Sequence, residues 1–118
     1  MNVGIRITHD SYIVELNGEL DASSSVAVDA KIEMAVNSGK PFLLVDCHNL
    51  NYISSTGLGV FISHLQTVQR RNLKLVLFGV SPKIKDVFSI LGLETLLTFA
   101  PDAETAYAIC QNENSFAL

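Results

Sequence analysis

Val3, Ile5 and Ile7 alternate with more polar neighbours, the two-residue period of a strand with one covered face. Tyr12-Ile13-Val14-Glu15-Leu16 follows the turn residues His9-Asp10-Ser11, so the two segments predict an N-terminal hairpin. The period then lengthens. Val28, Ile32, Ala35 and Val36 form one helical stripe, which Ser23-Ser24-Ser25 can cap and Gly39 and Pro41 close. Phe42-Leu43-Leu44-Val45 is a continuous apolar run, the mark of an inner strand covered on both faces. Residues 50–54 read as a crossing to a second helix that starts near Thr56. Its inward positions are Leu58, Phe61, Ile62, Leu65 and Val68.

Leu73–Phe78 reads as another inner strand. Ser81-Pro82 starts a third helix, with serine as cap and proline at the first helical position. Ile84, Val87, Phe88 and Leu91 fill its inward face, and Gly92 ends it. Leu96–Phe99 reads as a last strand, and Pro101-Asp102 opens a final helix through Ala106, Ile109 and Cys110. Strands alternate with helices after the hairpin, which predicts an α/β fold. The expected architecture is a single domain over residues 1–111, its mixed, mostly parallel sheet flanked by about four helices, with a short tail over 112–118.

Composition narrows the function. With 118 residues, 48% of them hydrophobic, the chain has room for one core, and 17% charged residues is ordinary for a globular protein. A net charge of −4 speaks against direct nucleic-acid binding, which needs a broad cationic face. Arg70, Arg71, Lys74, Lys83 and Lys85 cluster in one short region, as a solvated helix end and loop would. Residues 1–6 lack a secretory apolar core, and no apolar run approaches the ~20 residues that span a bilayer. Cys47 and Cys110 lie too far apart in sequence for a disulfide framework or zinc finger and read as buried thiols. The expected location is cytoplasmic, without membrane insertion.

The run Ser54-Ser55-Thr56-Gly57-Leu58-Gly59 concentrates the candidate chemistry. A serine nucleophile elbow needs glycine on both sides, but Ile53 stands two positions before Ser55, with glycine only at Gly57. His9, His48 and His64 are the only imidazoles that could serve as its base. A dinucleotide loop needs a third small residue where Ile62 stands. Asp46-Cys47-His48 is a poor metal set, because Cys47 and His48 would point to opposite faces of a strand. Asp21 and Asp46 both fall near the sheet end where Ser55 sits, where solvated or capping roles suit them. The three hydroxyl residues retain two readings, helix capping and phosphate acceptance, since a helix start serves both.

Several segments carry a resemblance. Gly18-Glu19-Leu20-Asp21 resembles the turn before the first helix in the STAS domain of bacterial anti-sigma factor antagonists. Leu50 through Val60 resembles the segment in which those proteins carry Asp-Ser-Ser/Thr-Gly-Leu-Gly. Ser81-Pro82-Lys83-Ile84, Val87-Phe88 and Leu91-Gly92-Leu93 resemble their third helix. The resemblance spans nearly the whole chain and implies an STAS-like fold. It places a phosphorylated serine at Ser55 and a partner surface at Asp21, Ser54, Ser55, Thr56, Gly57, Leu58 and Gly59. The usual aspartate falls on Ser54, a departure.

The implied partner is an anti-sigma factor with serine kinase activity. The unphosphorylated protein binds it and so releases a sigma factor. The kinase then modifies Ser55 with its own ATP, and a metal-dependent serine phosphatase resets the cycle. No cofactor is implied for the chain itself. Two other readings stand beside this one: an STAS module that is not phosphorylated, in a lipid transporter or signalling scaffold, and a small enzyme with Ser55 as nucleophile.

Overall fold

In the computed structural model, which describes residues 1–116, the first alternating segment is β1 (Asn2–Ile7). It pairs antiparallel with β2 (Ser11–Leu20), forming the expected hairpin. Three further strands follow in parallel, β3 (Phe42–Ile53), β4 (Lys74–Phe78) and β5 (Thr98–Ala100), so that spatial order equals chain order. The helices α1 (Ser25–Val36), α2 (Ser55–Arg70), α3 (Pro82–Ile90) and α4 (Ala103–Phe116) connect and follow them.

Both faces of the sheet are covered. Tyr12, Val14, Leu16, Leu43, Val45 and Leu77 pack with buried residues of α1, α2 and α3 in the larger core. Ile13, Phe42, Leu44, Val76 and Phe78 face the other way, onto Ala106 and Cys110 of α4. This two-sided burial is why residues 42–45 are apolar without alternation.

Several boundaries differ from the sequence reading. β3 does not stop after Val45 but runs 12 residues to Ile53, because Cys47, Leu50 and Ile53 continue to be buried. β2 extends with it: Gly18 pairs with Leu50, Glu19 with Tyr52 and Leu20 with Ile53. The register shifts between Glu15 and Asn17 and again between Gly18 and Glu19. Gly18 has φ 116°, a conformation such an irregularity can use and a side chain would disfavour. The long β2–β3 pair carries Leu20 and Ile53 to the same end of the sheet.

Smaller corrections concern packing. Ile62 is only half-buried, whereas Val60, outside the expected inward positions, is buried beside Phe61. Ile7 at the end of the edge strand and Leu91 at the end of α3 are exposed rather than inward. The last strand begins at Thr98, leaving Leu96 in the preceding loop and exposed. α4 continues through residues 112–116, where the sequence suggests a tail. Residues 117–118 of that tail lie outside the described residues.

Candidate functional site

The parallel ends of β2 and β3 define the site. The Ser54 backbone N–H donates to the Leu20 carbonyl at 2.9 Å, tying the start of α2 to the end of β2. Ser54 is extended, with φ −95° and ψ 171°, and its hydroxyl accepts from the Gly57 N–H at 3.1 Å. Ser54 is therefore the N-cap, the residue whose side chain satisfies one of the donors a helix start leaves unpaired. Ser55 and Thr56 occupy the first turn and are exposed. Among the described residues the Ser55 hydroxyl forms no hydrogen bond. The structure thus assigns the capping role to Ser54 and leaves Ser55 pointing its chemistry outward.

The two glycines differ. A Cβ on Gly57 would lie 2.6 Å from the Leu20 carbonyl oxygen and 2.8 Å from Leu20 Cγ, so only glycine lets α2 rest on the strand ends. A Cβ on Gly59 would meet nothing within 4 Å. Leu58 is buried in the larger core. Within the motif, Gly57 and Leu58 build the platform, and Ser55, Thr56 and Gly59 lie on its surface.

Asp21 shapes the neighbouring turn. Its carboxylate accepts from the Ser23 hydroxyl at 2.6 Å and from the N–H groups of Ser23 and Ser24 at 3.0 and 3.2 Å. The Ser24 hydroxyl accepts from the Asp21 N–H at 3.0 Å and donates to the Glu19 carbonyl at 2.8 Å. Ser24 precedes α1, yet the side chain that satisfies donors there belongs to Asp21. The Ser23 hydroxyl, aided by the two N–H groups against a smaller effect of burial, holds the Asp21 carboxyl below the usual carboxylate range. Asp21 directly follows the Leu20 carbonyl that holds Ser54, so the two loops form one continuous surface.

Beside it runs an open groove of about 350 Å³ between α1 and α2, lined by Val26, Asp29, Thr56, Gly59, Val60 and Ser63 among others. Asp29 Oδ1 lies 2.8 Å from His64 Nε2, a hydrogen bond that crosses from α1 to α2. The sequence reading missed Val26 and Asp29. The available signal was the spacing of Val26, Ala30 and Met34 on the side of α1 opposite the buried stripe.

The other candidate chemistry resolves into local pairs. His48 Nδ1 lies 2.9 Å from Asp46 Oδ1, and His9 Nε2 lies 3.5 Å from Asp10 Oδ2. With His64 on Asp29, each histidine is paired with an aspartate. Cys47 is buried, and its thiol is pushed far up by burial first and by the charge of Asp46 second, whereas His48 is exposed. Among the described residues no three His, Cys, Asp or Glu side chains converge as metal ligands. No described helix is long and apolar enough to cross a membrane.

The family model of the STAS domain matches residues 2–106. The chain belongs to the STAS domain family. The anti-sigma-B factor antagonist of Staphylococcus epidermidis is 34% identical over 99 residues, covering 82% of this chain and 92% of the relative. That of Listeria monocytogenes is 32% identical over 100 residues, covering 82% and 88%. Among solved structures, the anti-sigma factor antagonist SpoIIAA in its unphosphorylated form aligns with TM-score 0.76 at 22% identity, over 92% of this chain and 96% of that one. Its Bacillus phosphorylated form aligns with TM-score 0.69 at 22% identity, over 92% and 99%. An anti-sigma factor antagonist from Mycobacterium paratuberculosis aligns with TM-score 0.84 at 16% identity, over 93% of each chain. The expected STAS fold, with its N-terminal hairpin and four helices, is the observed one.

Proposed function

We propose that this STAS protein is an anti-sigma factor antagonist switched by phosphorylation of Ser55. The observation that carries the reading is the division of labour at α2: Ser54 caps the helix, and Ser55 is left exposed with an unengaged hydroxyl one residue on. The names of its relatives support the binding role, since each is called an antagonist of an anti-sigma factor.

The departure at Ser54 has a physical reading. Aspartate and serine are near-equivalent N-caps, so serine keeps the helix start that aspartate would supply. It also removes a carboxylate that would repel a phosphate on the next residue. A phosphate on Ser55 brings about −1.5 to −2 charges at neutral pH. The unpaired first-turn N–H groups and the positive end of the helix dipole can hold it without reopening the fold.

The partner responds differently. A surface fitted to a neutral hydroxyl would bury an unmatched dianion, and a loss of ~3 kcal/mol is already more than a hundredfold in affinity. Local charge at Ser55 therefore releases the partner without a large rearrangement. In this cycle the partner is an anti-sigma factor with serine kinase activity that supplies the ATP. A metal-dependent serine phosphatase removes the phosphate. The chain acts as substrate and ligand, not as catalyst, and uses no cofactor of its own.

The test is binding to the purified anti-sigma factors of the organism that carries this chain. Wild type should bind one of them and be released on adding ATP, Ser55→Ala should bind and resist release, and Ser55→Asp should bind more weakly. Release of Ser55→Ala by ATP at the wild-type rate would contradict the proposal.

A further inference from the structure

We propose that the groove between α1 and α2 seats a segment of the anti-sigma partner that inserts an apolar side chain beside a basic one, and that Asp29 accepts the basic group. This rests on reading the chain as an antagonist and adds the chemistry by which the partner is recognised.

Three observations converge. The first is an apolar outer face on α1. Val28, Ile32, Ala35 and Val36 already bury the inner side of this helix. Val26, Ala30 and Met34 repeat every four residues on another side, with Val26 80% and Met34 54% exposed. Of these only Val26 lines the groove, and an exposed apolar side chain at the rim of a groove marks an interaction surface.

The second is the groove's shape. Val60 forms its buried floor, while Gly59 leaves open space where any other residue would project. An apolar side chain from a partner can therefore descend between Val26 and Val60.

The third is its charge. Asp29 is 45% exposed at the side chain, and His64 fixes one of its oxygens at 2.8 Å. Among the described residues the second oxygen has no partner, and no lysine or arginine lines the groove. A pre-oriented carboxylate with one free oxygen fits a lysine ammonium or a single guanidinium N–H, and a charge-assisted bond of this kind strengthens as the groove is covered. The net charge of −4 favours the same sign of partner.

Thr56 both lines the groove and adjoins Ser55. A kinase anchored in the groove therefore sits over the hydroxyl it modifies. Asp29 is then a positioning residue, and its loss should raise the KM for phosphorylation while leaving kcat unchanged.

The experiment titrates the full chain against each purified anti-sigma factor of its organism, with melting curves recorded for every variant. Asp29→Asn and Val26→Asp should each weaken the wild-type interaction by about tenfold or more, and Asp29→Lys further. His64→Gln keeps the charged carboxylate and removes only the contact that orients it, so it should weaken binding by less than Asp29→Asn does. Variants that melt like wild type yet bind normally at both Val26→Asp and Asp29→Lys would overturn the groove as the seat. An equal loss in His64→Gln and Asp29→Asn would make the pair a support internal to the fold and overturn the role of Asp29. Should no anti-sigma factor bind the wild type, the antagonist reading fails, and the groove proposal falls with it.

Discussion

Gly57 and Gly59 stand two positions apart in one helix and answer to different constraints. A methyl group at Gly57 would press on the Leu20 carbonyl, so Gly57→Ala should destabilise by ~1–3 kcal/mol, the usual range for overpacking. Gly59 has open space in the same helix, and alanine there should stabilise by ~0.5–1 kcal/mol through helix propensity. If the partner approaches as proposed, Gly59→Ala should weaken binding while raising the melting temperature. Denaturation and titration of the two variants check both statements, and equal stability changes would contradict them. Sequence alone showed both glycines as one motif. Their difference arises because residues two apart face nearly opposite sides of a helix, so that Gly57 meets Leu20 and Ile53 while Gly59 faces open space.

Asp21 offers a further test at this scale. Its carboxyl is held below the ordinary range in the fold, so its contribution is present above the unfolded value and is lost as pH falls through the folded one. Asp21→Asn should therefore lose stability at neutral pH, and the gap to wild type should narrow as pH drops below about 4. A gap independent of pH would show that the charged form has no preferred partner. The sequence shows Ser23-Ser24-Ser25 as a capping run, but not that Asp21 is the residue whose side chain satisfies the donors there. That depends on the path of the chain leaving β2, which sets the Asp21 carboxylate on the Ser23 and Ser24 amides.

At the scale of elements, α2 carries the site on a buried anchor. Phe61 is fully buried beneath it, and Phe61→Ala should cost ~3–5 kcal/mol in denaturant unfolding. A cost below ~1 kcal/mol would mean that the helix does not pack as described. The helices were legible because each bears a periodic stripe with a recognisable start, as at Ser81-Pro82, where Ser81 Oγ accepts from the Ile84 N–H at 3.2 Å. β3 was cut short in the reading because Asp46, His48 and Asn49 interrupt its apolar run. They are tolerated since Cys47 and Leu50 hold the strand in the core between them. Leu91 has the right spacing for the core, but α3 ends at Ile90 and the chain turns outward there. The groove between α1 and α2 was invisible for a different reason: it depends on how two helices cross, which no local pattern records.

For the whole molecule, both faces of the sheet are packed, and the candidate site lies at the end where β2 and β3 stop. The rigid ends of two long paired strands fix Ser54, which caps α2 and so displays Ser55. Ser54 is engaged as the cap while Ser55 and Thr56 are both displayed, and of these two the proposed switch is Ser55. The direct measurement is phosphosite mapping by mass spectrometry after incubation with ATP and the anti-sigma factor proposed as the partner kinase. Wild type and Ser54→Ala should both carry phosphate on Ser55, the latter despite a stability loss of ~1 kcal/mol from its missing cap. Ser55→Ala should carry none. Phosphate on Ser54 or Thr56 in the wild type, undiminished in Ser55→Ala, would contradict the account.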